Sequence, residues 1–190
     1  MKEKIQIIRS HRKTLSLEIT SCGELRVRAP YLMAEREILR FVDGKSDWIA
    51  RHLQKMEADK DAFQIEGRFT EEELKKLVKL AKQVIPEKVA YYARIMNVTY
   101  GRISIRKQKT RWGSCSREGN LNFNCLLMMV PPEVLDYVVV HELSHRLEMN
   151  HSPRFWAQVE KVIPNYKEPR RWLKEKGNTL MLRMHGEELE

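Results

Sequence analysis

The sequence predicts an α+β fold: a small N-terminal antiparallel β unit with two short helices, followed by a larger mixed domain. Three observations carry this reading. Apolar residues recur with the period of a strand over the first thirty residues and with the period of a helix from about residue 34. Thr70 followed by Glu73 forms a capping box at the head of an amphipathic segment. Two alternating stretches, 100–108 and 120–127, then precede a further set of helical stripes.

The elements follow in order. Ile5 and Ile7, then Leu15, Leu17 and Ile19, alternate with polar residues, and Ser21-Cys22-Gly23 supplies a turn before Leu25 and Val27 alternate again. Ile38, Phe41 and Val42, then Trp48, Ile49, Leu53 and Met56, suit two short helices broken near Gly44. Residues 58–69 are charged and without period, which places a boundary there between an N-terminal unit at 1–60 and a domain at 70–180, with a short tail at 181–190. Leu74, Leu77, Val78 and Ala81 form the buried stripe of the helix opened by Thr70, which Pro86 must end or kink because it has no amide donor. Residues 110–116 read as a polar loop between two strands. Val138-Val139-Val140 favours a strand by propensity. Leu135, Val138, Val139, Leu143 and Leu147 nevertheless fit a helical stripe, so 131–148 reads as a helix. Ser152-Pro153 opens another, ending before Pro164, and a last helix over about 168–176 is closed by Gly177.

Composition narrows the class. A chain of 190 residues with 42% apolar and 32% charged residues is too hydrophobic for a disordered protein. Its apolar runs fall short of a membrane span, and its opening residues do not form a secretory signal. Three widely spaced cysteines, Cys22, Cys115 and Cys125, argue against a disulfide scaffold and for a reducing, cytoplasmic compartment. The net charge is +9 (35 Lys and Arg against 26 Asp and Glu). It permits contact with nucleic acid, although no aromatic residues interleave the basic clusters Arg9–Arg28 and Arg102–Arg111 as a stacking platform would require.

The chemistry lies in His141-Glu142-Leu143-Ser144-His145. On a helix, positions i and i+4 project from one face, so His141 and His145 can converge on one ion. Zinc takes such imidazoles at about 2.0–2.1 Å. Glu142 is offset around the helix, beside the ion, where it can take a proton from a water activated there. With six histidines in the chain, the motif alone arises by chance in roughly 2% of sequences of this composition. A catalytic zinc site has three protein ligands and one open position. His151 leads for the third, with Glu148, Glu160 and His185 as rivals. Glu148 also suits the role of orienting a ligand histidine. Arg111, Trp112 and Tyr137 are candidates to line a substrate cleft, where a neighbouring strand could pair with an extended peptide. Tyr137, Tyr166 and Arg111 are the candidates for stabilising a developing oxyanion.

Several linked motifs carry a resemblance: Arg12-Lys13-Thr14-Leu15, Val27-Arg28-Ala29-Pro30, Thr110-Arg111-Trp112-Gly113-Ser114-Cys115-Ser116, Asn120-Leu121-Asn122-Phe123-Asn124, the 135–145 segment, Asn150-His151-Ser152-Pro153-Arg154-Phe155-Trp156, and Trp172-Leu173. In this order they resemble the YgjP-like branch of the SprT-like zinc metallopeptidases, over most of the chain. The resemblance implies a compact zincin-like metallopeptidase domain over 70–180, Zn2+ on His141, His145 and His151, and Glu142 as general base. It implies a peptide or protein substrate. Other branches of the group act on DNA-bound proteins, which leaves a nucleic-acid-associated protein with a structural zinc as the alternative. A structural site would need a fourth protein ligand. The sequence is silent on the physiological substrate and the oligomeric state.

Overall fold

The structure is a computed structural model that describes residues 5–20 and 23–185. The fold is α+β, and the chain divides into two compact units, Met1–Ala62 and Phe63–Glu190.

The first unit holds β1 (Ile5–Ser10), β2 (Ser16–Ile19), β3 (Leu25–Pro30), α1 (Glu35–Asp43) and most of α2 (Ser46–Glu66). Leu25, Val27 and Ala29 alternate inward from β3 and meet Ile38, Val42 and Ile49 of the two helices in a small core. The expected antiparallel pairing holds between β2 and β3. β1, however, pairs with β3 in parallel, so β3 is central and the sheet is mixed. Alternation reveals a strand but not its partner, and the 11–15 connection carries the chain across the sheet rather than back along β1. Cys22 and the turn at Ser21 lie outside the described residues. The second helix is longer than expected. The charged run after residue 57 contains Ala, Lys, Gln and Glu, all good helix formers, and the helix stops only before Gly67, where φ is +67°.

The second unit begins with α3 (Glu71–Met96). Thr70 caps it as predicted: its hydroxyl accepts from the Glu73 amide, and the Glu73 carboxylate accepts from the Thr70 amide at 2.7 Å. Pro86 does not end this helix. Leu74, Ala81, Ile85, Val89 and Ala93 bury one stripe along its whole length, and that burial outweighs one missing hydrogen bond. Asn97, at φ 52°, closes it.

A second sheet follows, from β4 (Ile103–Arg106), β5 (Gly113–Cys115) and β6 (Leu121–Asn124), then a 3₁₀ turn over Cys125–Met129. β5 lies where a loop is expected; three residues with one glycine give too short a period to read. The order is β4-β6-β5, with β4 parallel and β5 antiparallel to β6, the same arrangement as in the first sheet.

The last four helices are α4 (Pro132–Ser144), α5 (Pro153–Val162), α6 (Lys167–Glu175) and α7 (Gly177–His185). α4 is apolar on nearly every side because it is central: it packs against α3, β5, α5 and α6. Packing therefore overrides the strand propensity of its three valines. The helix ends at Ser144, four residues short of the expected limit, which leaves Leu147 about half exposed in a turn. Gly177 begins α7 instead of ending the chain's last helix, and residues 181–185 are helical rather than a tail. Phe123, Phe155, Leu121, Leu127 and Leu143 fill the core around α4, each fully buried apolar side chain contributing about 1.5–3 kcal/mol.

Candidate metal centre

Three histidines converge at the end of α4. His141 lies in the last helical turn, His145 is the residue that closes the helix, and His151 stands in the following turn just before α5. One ligand atom from each lies within 4.8 Å of the other two. Nε2 of His141 and Nε2 of His151 are 3.0 Å apart. Two ring nitrogens so close repel unless a proton or a cation lies between them. Tetrahedral zinc with bonds of about 2.0–2.1 Å holds its ligand nitrogens about 3.3–3.4 Å apart, so a small adjustment of side chains admits it.

Two of the three imidazoles have their own support, whereas Nδ1 of His141 is buried without a hydrogen-bond partner. Ser152 caps α5 by accepting the Phe155 amide, and this fixes the turn that brings His151 back to the helix end. Nδ1 of His145 lies 3.2 Å from the Glu148 carbonyl oxygen, a bond that fixes the tautomer and turns Nε2 toward the cluster. Glu148 thus orients the His145 ring through its main chain. Neither its carboxylate nor that of Glu160 joins the converging group among the described residues. The side chain of His185 lies outside them. The Phe155 ring touches all three imidazoles, at centroid distances of 4.9, 4.6 and 4.7 Å for His141, His145 and His151. Phe155 is thus the apolar floor of the site.

Burial sets the protonation. It pushes the His141 imidazole down to about 3, aided by the neighbouring imidazoles, and it lowers His145 as well. Both therefore present a lone pair at neutral pH. The donor set, three imidazoles on two adjoining turns, fits a divalent metal.

Glu142 is 5% exposed, and burial pushes its carboxyl up to about 8 against the opposing charge of Arg111. β5 crosses directly over it. A Cβ on Gly113 would come within 2.6 Å of Glu142 Oε1 and 2.7 Å of its Cγ, so only glycine permits this approach. Sequence reasoning misses Gly113 as a site residue, because 110–116 reads as a loop and a glycine in a loop signals no close approach. The loop before β5 hangs on Asn124, whose buried amide donates to the carbonyls of Gln108 and Arg111 and accepts from the Leu126 amide.

The other candidates separate. Arg111 is exposed beside Glu142. The Trp112 indole is half-buried and lies against Gly177 at the start of α7. Tyr137 is buried in the core, 5.8 Å from the His141 ring. Tyr166 stacks on Trp156 at 5.3 Å.

The family described as "YgjP-like, metallopeptidase domain" matches residues 13–78 and 70–176. The chain belongs to this family. It is therefore a metallopeptidase, and the family implies a divalent metal and a peptide or protein substrate. Two crystal structures of metallopeptidase zymogens are also similar. Pyrococcus abyssi abylysin shares 24% identity at a TM-score of 0.45, covering 50% of this chain and 96% of its own. Methanocaldococcus jannaschii jannalysin shares 22% at 0.44, covering 48% and 95%. No curated protein matches the chain. No helix among the described residues is long and apolar enough to cross a membrane.

The contact between β5 and Glu142 gives this YgjP-like peptidase a specific test. Gly113→Ala is expected to displace the Glu142 carboxylate and lower kcat/KM for peptide hydrolysis roughly 100-fold, since a displacement of about an ångström at a reacting site costs that much. Bound metal should stay, because the three atoms nearest the added methyl all belong to Glu142 and none to a histidine. Metal analysis beside the rate separates displacement of the carboxylate from collapse of the site.

Proposed function

We propose that the chain is a zinc-dependent metalloendopeptidase whose metal is held by His141, His145 and His151, with Glu142 as general base and residues 70–180 as the catalytic domain. The observation that carries the reading is the convergence of three imidazole ligand atoms within 4.8 Å, with the buried Glu142 carboxyl on the same helix.

Zinc bound there supplies a Lewis acid that polarises the scissile carbonyl and acidifies a water molecule. The three histidines hold it, and the Glu148 carbonyl keeps His145 in the ligating tautomer. Glu142 accepts the proton of the attacking water on its carboxylate and returns it to the nitrogen of the leaving amine. β5 is an edge strand, hydrogen-bonded to β6 on one side, and its other side offers main-chain groups to an extended peptide beside Glu142. Arg111, on the loop leading into β5, is the candidate for facing that peptide. The three-histidine set supports a catalytic metal over a structural one, which would need four protein ligands. Free thiols at Cys115 and Cys125 support a reducing compartment, the cytoplasm.

The test uses untagged protein and an unfolded protein substrate such as casein. Cleavage should fall at least tenfold with a zinc chelator and return on adding back one equivalent of Zn2+. Cleavage that survives complete removal of metal would refute the reading.

A further inference from the structure

The guanidinium of Arg170, on α6, lies 4.3 Å from the centroid of the Trp156 ring. That indole lies 5.9 Å from the His141 ring and 5.7 Å from the His151 ring. The charge of Arg170 acts on the His141 imidazole and on the Tyr137 phenol. A fixed cation therefore stands one aromatic ring away from two of the three converging histidines.

Arginines with a structural task in this protein use their donors on it. Arg146 donates to the Thr99 and Arg117 carbonyls, and Arg183 to Gly67 and Glu66. Arg9 donates to the carbonyls of Pro30, Tyr31 and Met33. Arg170 is exposed, and among the described residues its guanidinium has neither a carboxylate nor a carbonyl partner; the indole holds it by cation–π attraction alone. Stacking of this kind fixes the plane of a guanidinium and leaves its in-plane N–H groups free for an acceptor. The group those donors match best is a carboxylate, taken through two parallel charge-assisted bonds.

We propose that Arg170 is a specificity-determining residue that binds a carboxylate of the substrate, so that this site selects acidic peptides. The proposal rests on the peptidase reading, which it sharpens to a substrate class. The carboxylate has two chemical sources: an acidic side chain near the scissile bond, or the free C-terminus of the peptide.

The test separates these sources from each other and from hydrolysis. Fluorescein-labelled peptides are made in pairs, Glu against Gln at each central position and C-terminal acid against amide. Binding is read by anisotropy on zinc-loaded Glu142→Gln protein, with Arg170 intact or changed to Gln or Lys, and melting curves establish that each variant folds. With Arg170 intact, one member of a pair should bind about 10- to 100-fold tighter, the size of a charge-assisted pair. Arg170→Gln should bring that ratio to about one. Arg170→Lys should keep part of it, because an ammonium retains the charge but not the paired bonds. A preference confined to the Glu–Gln pairs assigns a side-chain subsite, and one confined to acid over amide assigns the C-terminus. No preference with Arg170 intact, no peptide binding, or a preference that survives Arg170→Gln overturns the proposal. Selective binding by protein that, with Glu142 restored, cuts none of these peptides would leave the carboxylate site standing and count against the peptidase reading.

Discussion

Changing His151 to alanine is expected to weaken zinc binding more than about 100-fold and to remove zinc from the purified protein, and His145→Ala should do the same. The 100-fold figure is a floor, since loss of a residue that merely supports a ligand already costs 10- to 100-fold in affinity. The argument is geometric. His141 and His145 alone leave two of four tetrahedral positions to water, and His151 stands 3.0 Å from His141, nitrogen to nitrogen, where a third bond would form. Elemental mass spectrometry on untagged protein is the direct measurement, with about one zinc per chain expected in the wild type. Melting temperature is the second. A metal that binds only the folded state raises stability in proportion to the logarithm of its concentration over Kd, so a chelator should lower the wild-type melting point and leave both variants unmoved. Stoichiometric zinc in His151→Ala would transfer the third position to Glu148 or Glu160.

Glu142→Gln is expected to lower hydrolysis by about 10²- to 10⁴-fold, the contribution of a positioned base, while zinc content stays at the wild-type level. The isosteric amide keeps the contact with Gly113 and removes only the ability to take a proton. A second consequence appears in chelator-stripped protein. The Glu142 carboxyl is raised in the folded state from 4.5 to about 8. A group raised in this way adds stability that is complete below its unfolded pKa and is lost as pH rises through the folded one. Stripped wild type should therefore lose stability relative to stripped Glu142→Gln as pH rises from about 4.5 to 8, with the two nearly level at the acid end. Parallel melting curves across that range, or full hydrolysis by the variant, would remove Glu142 from the role of buried base.

How much of this was legible differs from element to element. The capping box at Thr70 and Glu73 is local, involving four consecutive residues and two hydrogen bonds, and it forms as read. The helix through Val138-Val139-Val140 was legible because a stripe and a metal motif both required the same period. Pro86 misleads because its cost is local while the burial that overrides it extends along all of α3. β5 is hidden because a three-residue strand has no period, and the parallel pairing of β1 because strand partners are chosen by the whole sheet.

At the site, the sequence by itself determined the candidate ligand types and the i, i+4 spacing that puts two imidazoles on one face, because helix geometry is fixed by the backbone. It also named His151, through the helix-closing turn that must follow His145. Tertiary structure alone decided the rest. The Glu148 carbonyl that holds His145, the β5 crossing that confines Glu142 beneath Gly113, the Phe155 ring under all three imidazoles and the guanidinium of Arg170 on Trp156 join residues from separate elements. The physical reason is that a side chain's pKa, tautomer and free donors depend on what packs against it, and the partners for that packing come from distant parts of the chain.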